Sequence, residues 1–223
     1  MTKERPILFS GPMVRAILDG RKTQTRRAIK RYNIYGPNPP GGIWDWRDTN
    51  KNNMWIGAHG GDLKFKDTSA ARFCPYGKSG DKLWVRETWA DPNDQVVIYR
   101  ANWREDAMLR GLDNIPLTDQ DIKWRPSIHM PRWASRIKLE ISSIRVERLQ
   151  EISEDDAFAE GVQLPVCKND DGTTSRLIPV TRKYVPKTHT AKEFYASLWE
   201  EINGKGAWAQ NPWVWVVEFR RED

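Results

Sequence analysis

Apolar residues near the start of the chain follow two patterns, one typical of a strand and one typical of a helix. Residues 7–9 form a short apolar run that predicts a buried strand. In residues 13–18 the apolar positions share one helical face, Pro12 suits the first helical position, and Gly20 is typical of a helix C-cap. The basic residues 21–27, which include two threonines, are predicted to form a turn after this helix.

The middle of the chain contains alternating apolar and polar positions, which predict strands. Residues 82–89 alternate in this way, and residues 95–99 are predicted to be their hairpin partner. Residues 136–149 alternate over a longer distance. The alternation shifts by one position at Ser142 and Ser143, which indicates a bulge or a bend in a long, curled strand.

Two further helices and a closing strand are predicted in the last third of the chain. Residues 153–161 and 190–202 each begin with the spacing of a capping box, a hydroxyl residue followed three positions later by an acid. Residues 213–219 combine β-branched and aromatic residues, which favour a strand. Short strands with three brief helices predict an α+β protein built on a small β-barrel.

Three polar segments interrupt these patterns, at about 32–80, 102–127 and 164–189. They are rich in Gly and Pro or in charged residues, and tryptophans such as Trp44 and Trp46 occur in the first of them without a helical period. We interpret them as insertions in a single domain that spans residues 1–223.

Composition excludes several classes of protein. The chain has 223 residues, of which 39% are apolar and 30% are charged, a balance typical of a folded globular domain rather than a disordered one. No apolar run approaches the roughly 18 residues of a membrane helix, and the polar start lacks the features of a signal peptide. We therefore expect a cytoplasmic protein without a membrane partner, in which the two cysteines form no disulfide framework.

Charge and tryptophan content point to an anionic partner. The net charge is +6, and the chain has twelve Trp. Basic residues attract phosphates, and Trp rings provide either core burial or a flat surface for stacking on bases. The positive net charge and the high Trp content are both compatible with a nucleic-acid partner, although most of the tryptophans are expected in the core.

Common cofactor and hydrolase motifs are absent from the sequence. Residues 77–79 read Gly-Lys-Ser, but Arg72 stands where a phosphate-binding loop requires Gly. The histidines His59, His129 and His189 have no metal-ligand spacing with the cysteines. We expect neither a metal nor a cofactor.

The sequence offers a base and a hydroxyl at the exit of the first helix, where Lys22 precedes Thr25 by three positions. Burial and the neighbouring Arg21, Arg26 and Arg27 would lower the pKa of Lys22 toward that of a usable base. The alternative is structural, because basic residues after a helix also complement its dipole.

Two acids are also candidates. Glu193 occupies the third position of a capping box, a local role that explains it without chemistry. Glu87 shares a strand face with the apolar Val85 and Trp89, so its carboxylate needs a partner, and Arg86 points the other way.

Several of these motifs together resemble a known family. They are Gly-Arg-Lys-Thr-x-Thr-x-Arg at 20–27, Gly-Asp-x-Leu-Trp-Val-Arg-Glu at 80–87, and the final helix with its Val-Val-Glu-Phe strand. In these the chain resembles the ASCH domain of the PUA-like superfamily. Ile-His-Met-Pro-Arg-Trp at 128–133 and Asn-Pro-Trp-Val-Trp at 211–215 are similar to the long form found in phages and prophages.

The resemblance implies a barrel of five or six strands with flanking helices and a cleft for RNA or a modified nucleoside. A small bacterial member of the family is an N(4)-acetylcytidine amidohydrolase, which uses a Lys, a Thr three residues later and a Glu on the last helix. Carried onto this chain, these roles fall on Lys22 as base, Thr25 as nucleophile and Glu193 as the acid that positions or protonates the leaving group. The implied activity is removal of an acyl group from an N-acylated cytosine nucleoside.

Two other classes of function remain open. One is a non-catalytic RNA- or DNA-binding module of phage or prophage origin, in which arginines contact phosphates and tryptophans stack on bases. The substrate- or nucleic-acid-binding candidates are Arg21, Arg26, Arg27, Arg86, Glu87, Trp89, Arg132 and Trp133. The other is a phage structural or assembly protein, which would leave the basic segment 21–27 without a partner.

Overall fold

The structure is a computed structural model. It describes residues 2–29, 55–56, 62–63, 74–91, 96–105, 122–164, 166–168, 174–176 and 190–222. The predicted insertions lie largely outside these residues, as do Trp44, Trp46, His59 and His189.

The described residues form short helices and strands in the mixed order expected of an α+β protein. The helices are α1 (Gly11–Leu18), α2 (Glu154–Ala159) and α3 (Ala191–Asn203). The strands are β1 (Glu4–Leu8), β2 (Gln24–Ala28), β3 (Trp55–Ile56), β4 (Asp62–Leu63), β5 (Lys82–Arg86), β6 (Trp89–Ala90), β7 (Ile98–Tyr99), β8 (Lys138–Arg148), β9 (Val166–Lys168), β10 (Thr174–Arg176) and β11 (Trp213–Glu222). Single 3-10 turns occur at Ser127–His129, Arg132–Ala134 and Leu149–Glu151.

Five strands form the main sheet, in the order β1-β5-β8-β11-β2. Strand β1 is parallel to β5, and β5 is antiparallel to β8. The strand predicted over residues 82–89 is divided into β5, which pairs with β1 and β8, and β6. Only β6 pairs antiparallel with β7 in the predicted hairpin, with Trp89 opposite Tyr99. Among the described strands no pairing closes the sheet into a barrel, so the structure shows an α+β fold and the barrel stays a prediction.

The long strand β8 confirms the predicted shift in alternation. Leu139 and Ile141 are buried in its first half, whereas Ile144 and Val146 are buried in its second half. The buried positions therefore change from odd to even numbers at Ser142 and Ser143, where two successive residues face away from the core.

The three predicted helices are confirmed with their caps. Helix α1 buries Val14, Ala16 and Ile17, and the chain leaves it through Gly20, whose φ of 72° lies in the left-handed region. Helices α2 and α3 both begin with complete capping boxes, at Ser153 and Thr190. None of the described helices is long and apolar enough to cross a membrane.

One local prediction was wrong. The basic stretch that follows Gly20 is not a turn, because Lys22 forms an isolated antiparallel bridge with Glu160 and β2 begins at Gln24. Gln24, Thr25 and Arg26 are all buried. The Gln24 amide and the Arg26 guanidinium find partners inside the fold, which allows this basic sequence to form a strand.

The chain divides into two compact units. Unit 1 comprises Met1–Arg21, Cys74–Ile144 and Val217–Asp223, and unit 2 comprises Lys22–Phe73 and Arg145–Val216. Unit 2 has a hydrophobic core around α3, composed of Leu149, Ile152, Ala157, Ala191, Tyr195, Trp199, Ala207, Val214 and Val216.

In unit 1 the buried Asp81, directly before β5, connects this strand to the segment that leads into β1. The Asp81 carboxylate accepts hydrogen bonds from the backbone N–H groups of Lys3, at 3.0 Å, and Lys78, at 3.2 Å. It also pairs with Arg5 at 3.4 Å. Gly77 has a φ of 128°, and a Cβ there would lie 2.8 Å from an Asp81 carboxylate oxygen, so this turn requires glycine.

Candidate functional site

A buried charge cluster forms in unit 2 where the segment that leads into β2 meets the end of α2. Lys22 lies at its centre with a side chain that is 0% exposed. Its Nζ donates to Glu160 Oε2 at 2.7 Å and to the Glu160 backbone oxygen at 2.8 Å. The backbone N–H of Thr23 donates to Ala159 O at 2.9 Å, so the two segments are joined by both backbone and side-chain hydrogen bonds.

Burial sets the electrostatics of Lys22. Removal from water lowers the pKa of the Lys22 ammonium, the Glu160 carboxylate opposes this shift, and Arg27 and Arg26 lower the pKa further. The net direction is below the ordinary lysine value. Lys22 therefore has the surroundings expected of a lysine that exchanges a proton.

Helix α2 places Glu160. The capping box of Ser153 and Asp156 fixes the start of this short helix, Glu160 caps its C-terminal end, and Gly161 leaves it with a φ of 90°. A carboxylate at the C-terminal end of a helix is disfavoured by the helix dipole, so it needs cations nearby. Lys22 and Arg26 supply them.

Arg26 joins three carboxylates inside unit 2. Its side chain is 0% exposed, and its guanidinium lies 3.0 Å from Asp156, 3.1 Å from Glu147 and 3.4 Å from Glu160. Arginine suits this position because its planar fork of donors serves several acceptors at once. Arg26, one of the predicted nucleic-acid contacts, is thus held inside the cluster.

The partly exposed edge of the cluster is formed by Arg145 and Asp156. Arg145 donates to Asp156 at 3.0 Å and also pairs with Glu147, and its side chain is 32% exposed. Burial alone would raise the pKa of Asp156, but Arg26, the Gln24 hydrogen bond and Arg145 lower it further than burial raises it. Asp156 is accordingly an acceptor held in its ionised form.

Tyr195 of α3 belongs to the same surroundings. It is 4% exposed, and burial together with the charge of Glu160 raises the pKa of its phenol well above the usual range. Its ring contacts Trp199 and Trp208, with centroids 6.2 and 6.4 Å apart. The phenol is therefore neutral near the charged cluster.

Thr25 is buried at 2% exposure in β2, and its hydroxyl makes no hydrogen bond with any residue that the structure describes. Strand alternation places Gln24 and Arg26 on one face of β2 and Thr25 on the other. Both Gln24 and Arg26 contact Asp156. No hydrogen bond joins Thr25 to Lys22 among the described contacts.

Glu193 lies at the exposed start of α3. Its carboxylate accepts a hydrogen bond from the backbone N–H of Thr190 at 3.0 Å, and its own N–H donates to the Thr190 hydroxyl at 3.2 Å. This is the capping box that the sequence predicted. The carboxylate in contact with Lys22 is that of Glu160, and the catalytic role of Glu193 stays a prediction.

Of the remaining predicted contacts, Arg27 lies in β2 of unit 2, and the others lie in unit 1. Glu87 is 1% exposed, and its partner is Arg136, which donates to both carboxylate oxygens at 2.9 and 3.0 Å. Arg136 also donates to Asn102 at 2.8 Å and lies 4.0 Å above the Tyr99 ring. Arg136 thus contacts Glu87, Asn102 and Tyr99 at once, and it was not among the predicted residues.

The other predicted contacts of unit 1 differ in exposure. Trp89 is buried at 2%, whereas Trp133 is 68% exposed. Arg132 pairs with Glu4 through two hydrogen bonds of 2.8 and 2.7 Å, and Arg21 pairs with Asp19 at 2.7 Å. Among the described residues, no group of three or more His, Cys, Asp or Glu side chains is arranged to hold a metal ion.

Sequence reasoning missed Glu160, the acid that meets Lys22. Its signal was indirect: an acid immediately before Gly161, at the end of a predicted helix, where the dipole disfavours it. In comparisons with protein-family models, curated proteins and solved structures, none matched this chain.

Proposed function

We propose that this chain is an ASCH-type protein of PUA-like fold that acts on RNA or a modified nucleoside, and that it removes the acyl group from an N-acylated cytosine nucleoside. The observation that supports a catalytic role is the fully buried Lys22, held 2.7 Å from Glu160 with its pKa lowered. Buried lysines with perturbed pKa values are typical of acid-base sites.

The proposed chemistry is acyl transfer through Thr25. The Thr25 hydroxyl attacks the acyl carbonyl while Lys22, in its neutral form, takes the hydroxyl proton. The bond between the carbonyl carbon and the exocyclic nitrogen then breaks, and Lys22 returns the proton to the departing amine. Water hydrolyses the acyl-threonine and releases the carboxylic acid. Glu160 holds the Lys22 ammonium in place and stabilises its charged form.

Two features of Thr25 bear on this role. Thr25 is 2% exposed, so the reaction requires the substrate to reach a hydroxyl that lies below the protein surface. The reaction also requires the hydroxyl to come within hydrogen-bond distance of Lys22 when substrate binds. Catalytic hydrogen bonds often tighten only in the substrate complex.

The test is hydrolysis of a panel of N-acylated cytosine nucleosides, with N6-acyladenosine and N-acetyl-lysine as comparison substrates, followed by chromatography. Lys22→Arg preserves the charge beside Glu160 but cannot act as a base, so we expect it to remove turnover. Thr25→Ser should retain turnover and the isosteric Thr25→Val should lose it. Normal turnover by folded Thr25→Val, or no turnover of any nucleoside by the wild-type protein, would refute the proposed reaction.

Two matched variants test whether Glu160 or Glu193 is the carboxylate that assists catalysis. Glu160→Gln should reduce kcat strongly, whereas Glu193→Gln should leave kcat near the wild-type value and reduce only the stability of α3. The opposite result would restore Glu193 to the catalytic role and make Glu160 a structural residue.

Nucleic-acid binding without catalysis is the second candidate function, and the arginine-aromatic contacts of unit 1 favour it. Arg86 lies 5.5 Å and Arg132 lies 6.0 Å from the centroid of the Trp84 ring, and Arg125 lies 4.9 Å from that of Trp89. Such a module would bind RNA or DNA in Lys22→Arg as well as in the wild-type protein.

A further inference from the structure

Two successive 3-10 turns of unit 1, Ser127–His129 and Arg132–Ala134, present apolar side chains to solvent. Ile128 is 57% exposed and Trp133 is 68% exposed, whereas Met130 and Ala134, which alternate with them, are 1% and 2% exposed. We call residues 127–134 the Trp133 platform. Its inward residues anchor it, and its outward residues have no apolar cover from the part of the chain that the structure describes.

The platform is held in this position by contacts with two neighbouring segments, the end of β5 and strand β7. The Arg86 guanidinium donates to the Ile128 backbone oxygen, and the Tyr99 hydroxyl donates to Ala134 O at 2.9 Å. The Glu87 N–H donates to the Met130 sulfur at 3.4 Å. These hydrogen bonds fix the backbone of the platform at both of its turns.

The Trp133 ring is itself oriented. It packs edge to face against the buried Trp89, with ring centroids 5.8 Å apart and planes at 86°. An exposed indole held in one orientation loses little conformational freedom when it stacks on a ligand. A large, rigid aromatic side chain in solvent is therefore suited to binding.

The charge around the platform is mainly positive. Arg86 and Arg132 flank Trp84, and Arg125 is exposed over Trp89. Glu4 neutralises Arg132 through its paired hydrogen bonds. Arg86 lies over Trp84, and Arg125 lies over Trp89, whose ring contacts that of Trp133. Cations close to aromatic rings are the combination that binds bases and phosphates of single strands.

We propose that the Trp133 platform binds single-stranded nucleic acid, with one base stacked on Trp133 and the adjacent backbone phosphates near Arg86 and Arg125. This inference deepens the second candidate function and is independent of nucleoside hydrolysis. Single strands are favoured over duplexes because a stacked base must leave its own helix. An apolar protein partner is less suited to a surface lined by these guanidiniums.

The experiment is fluorescence anisotropy with a labelled 12-nucleotide single strand, as RNA and as DNA, and with the same strand annealed to its complement. The full chain is compared with Trp133→Ala, Trp133→Phe and Ile202→Ala. Ile202 is a matched control because it is 56% exposed on α3, where it follows the acidic Glu200 and Glu201.

We expect the wild-type protein to prefer the single strand, and Trp133→Ala to weaken its binding by about 5- to 160-fold, the range for loss of one stacked base. Trp133→Phe should recover most of the affinity, and Ile202→Ala should bind like the wild-type protein. Raising the salt from about 50 to about 200 mM should weaken the binding of all variants.

Three other outcomes would contradict the proposed role of the Trp133 platform. Wild-type affinity in folded Trp133→Ala would overturn the platform as the binding site while leaving nucleic-acid binding by the chain intact. No binding of any strand at low salt would refute both the platform and the second candidate function. Self-association that disappears in Trp133→Ala, without strand binding, would assign the platform to a protein interface instead.

Discussion

Replacing Glu160 with Gln tests the buried charge cluster most directly. The substitution preserves the size of the side chain but removes the carboxylate that lies 2.7 Å from the Lys22 ammonium and 3.4 Å from Arg26. Both cations have side chains that are 0% exposed. Removing one member of a buried pair costs about 3–5 kcal/mol, because the remaining charge loses its compensation.

Lys22→Met should be less harmful than Glu160→Gln. After this change Glu160 still has Arg26 at 3.4 Å, so the remaining charge keeps a partner. We expect a loss of about 1–3 kcal/mol, the cost of an incompletely satisfied buried polar group. In the double variant the Lys22 charge and the Glu160 charge are removed together. Its loss should therefore be smaller than the sum of the single losses by about 1–3 kcal/mol.

The assay is urea unfolding, followed by far-UV circular dichroism and by tryptophan fluorescence. Two probes are needed because the chain divides into two compact units, and coincident transitions establish a two-state process. With m values of about 2–3 kcal/mol/M, Glu160→Gln should lower the midpoint by on the order of 1–2 M urea. Strictly additive losses in the double variant, or a Glu160→Gln midpoint equal to the wild-type value, would refute the ion-pair reasoning.

Three further predictions concern other parts of the fold. The Lys3 N–H hydrogen bond is the main cause that lowers the pKa of Asp81 below its ordinary value of 3.8, so the ionised Asp81 carboxylate stabilises the fold fully above that value and loses this effect as the pH falls through the folded-state pKa. The Tm difference between the wild-type protein and Asp81→Asn should therefore be constant near neutral pH and shrink in acid. A Tm difference that grows in acid would contradict this prediction. Thr190→Ala removes the hydroxyl that caps α3 and should lower the free energy of unfolding by about 1 kcal/mol, whereas the exposed Ser197→Ala serves as a control with little effect in the same denaturation assay. Arg136→Lys cannot keep both contacts with Glu87 and should cost about 1.5–3 kcal/mol, the range for hydrogen bonds to charged groups; an unchanged thermal midpoint would show that one donor is sufficient.

Local features of the fold could be predicted from the sequence because their causes are local. The capping boxes at Ser153 and Thr190 depend on residues three positions apart, and both helices begin there. The change of alternation at Ser142 and Ser143 was visible for the same reason, since each strand face is read from neighbouring positions.

The candidate site could be predicted only in part, because its contacts join distant segments. Lys22 and Glu160 are 138 positions apart, and Glu87 and Arg136 are 49 positions apart. No local spacing reveals such pairs. Arg26 illustrates the difficulty: in a run of basic residues it has the pattern of an exposed turn, but three carboxylates from other segments allow its burial.

Glu154, the first residue of α2, contacts the start of another helix. The Glu154 carboxylate accepts hydrogen bonds from the backbone N–H groups of Ala191, at 2.7 Å, and Lys192, at 3.3 Å, which are the first residues of α3. This acid therefore caps α3 across a separation of 37 positions. The start of α3 is thus fixed by two acids, Glu193 from its own first turn and Glu154 from the first turn of α2, so the two helix starts depend on each other.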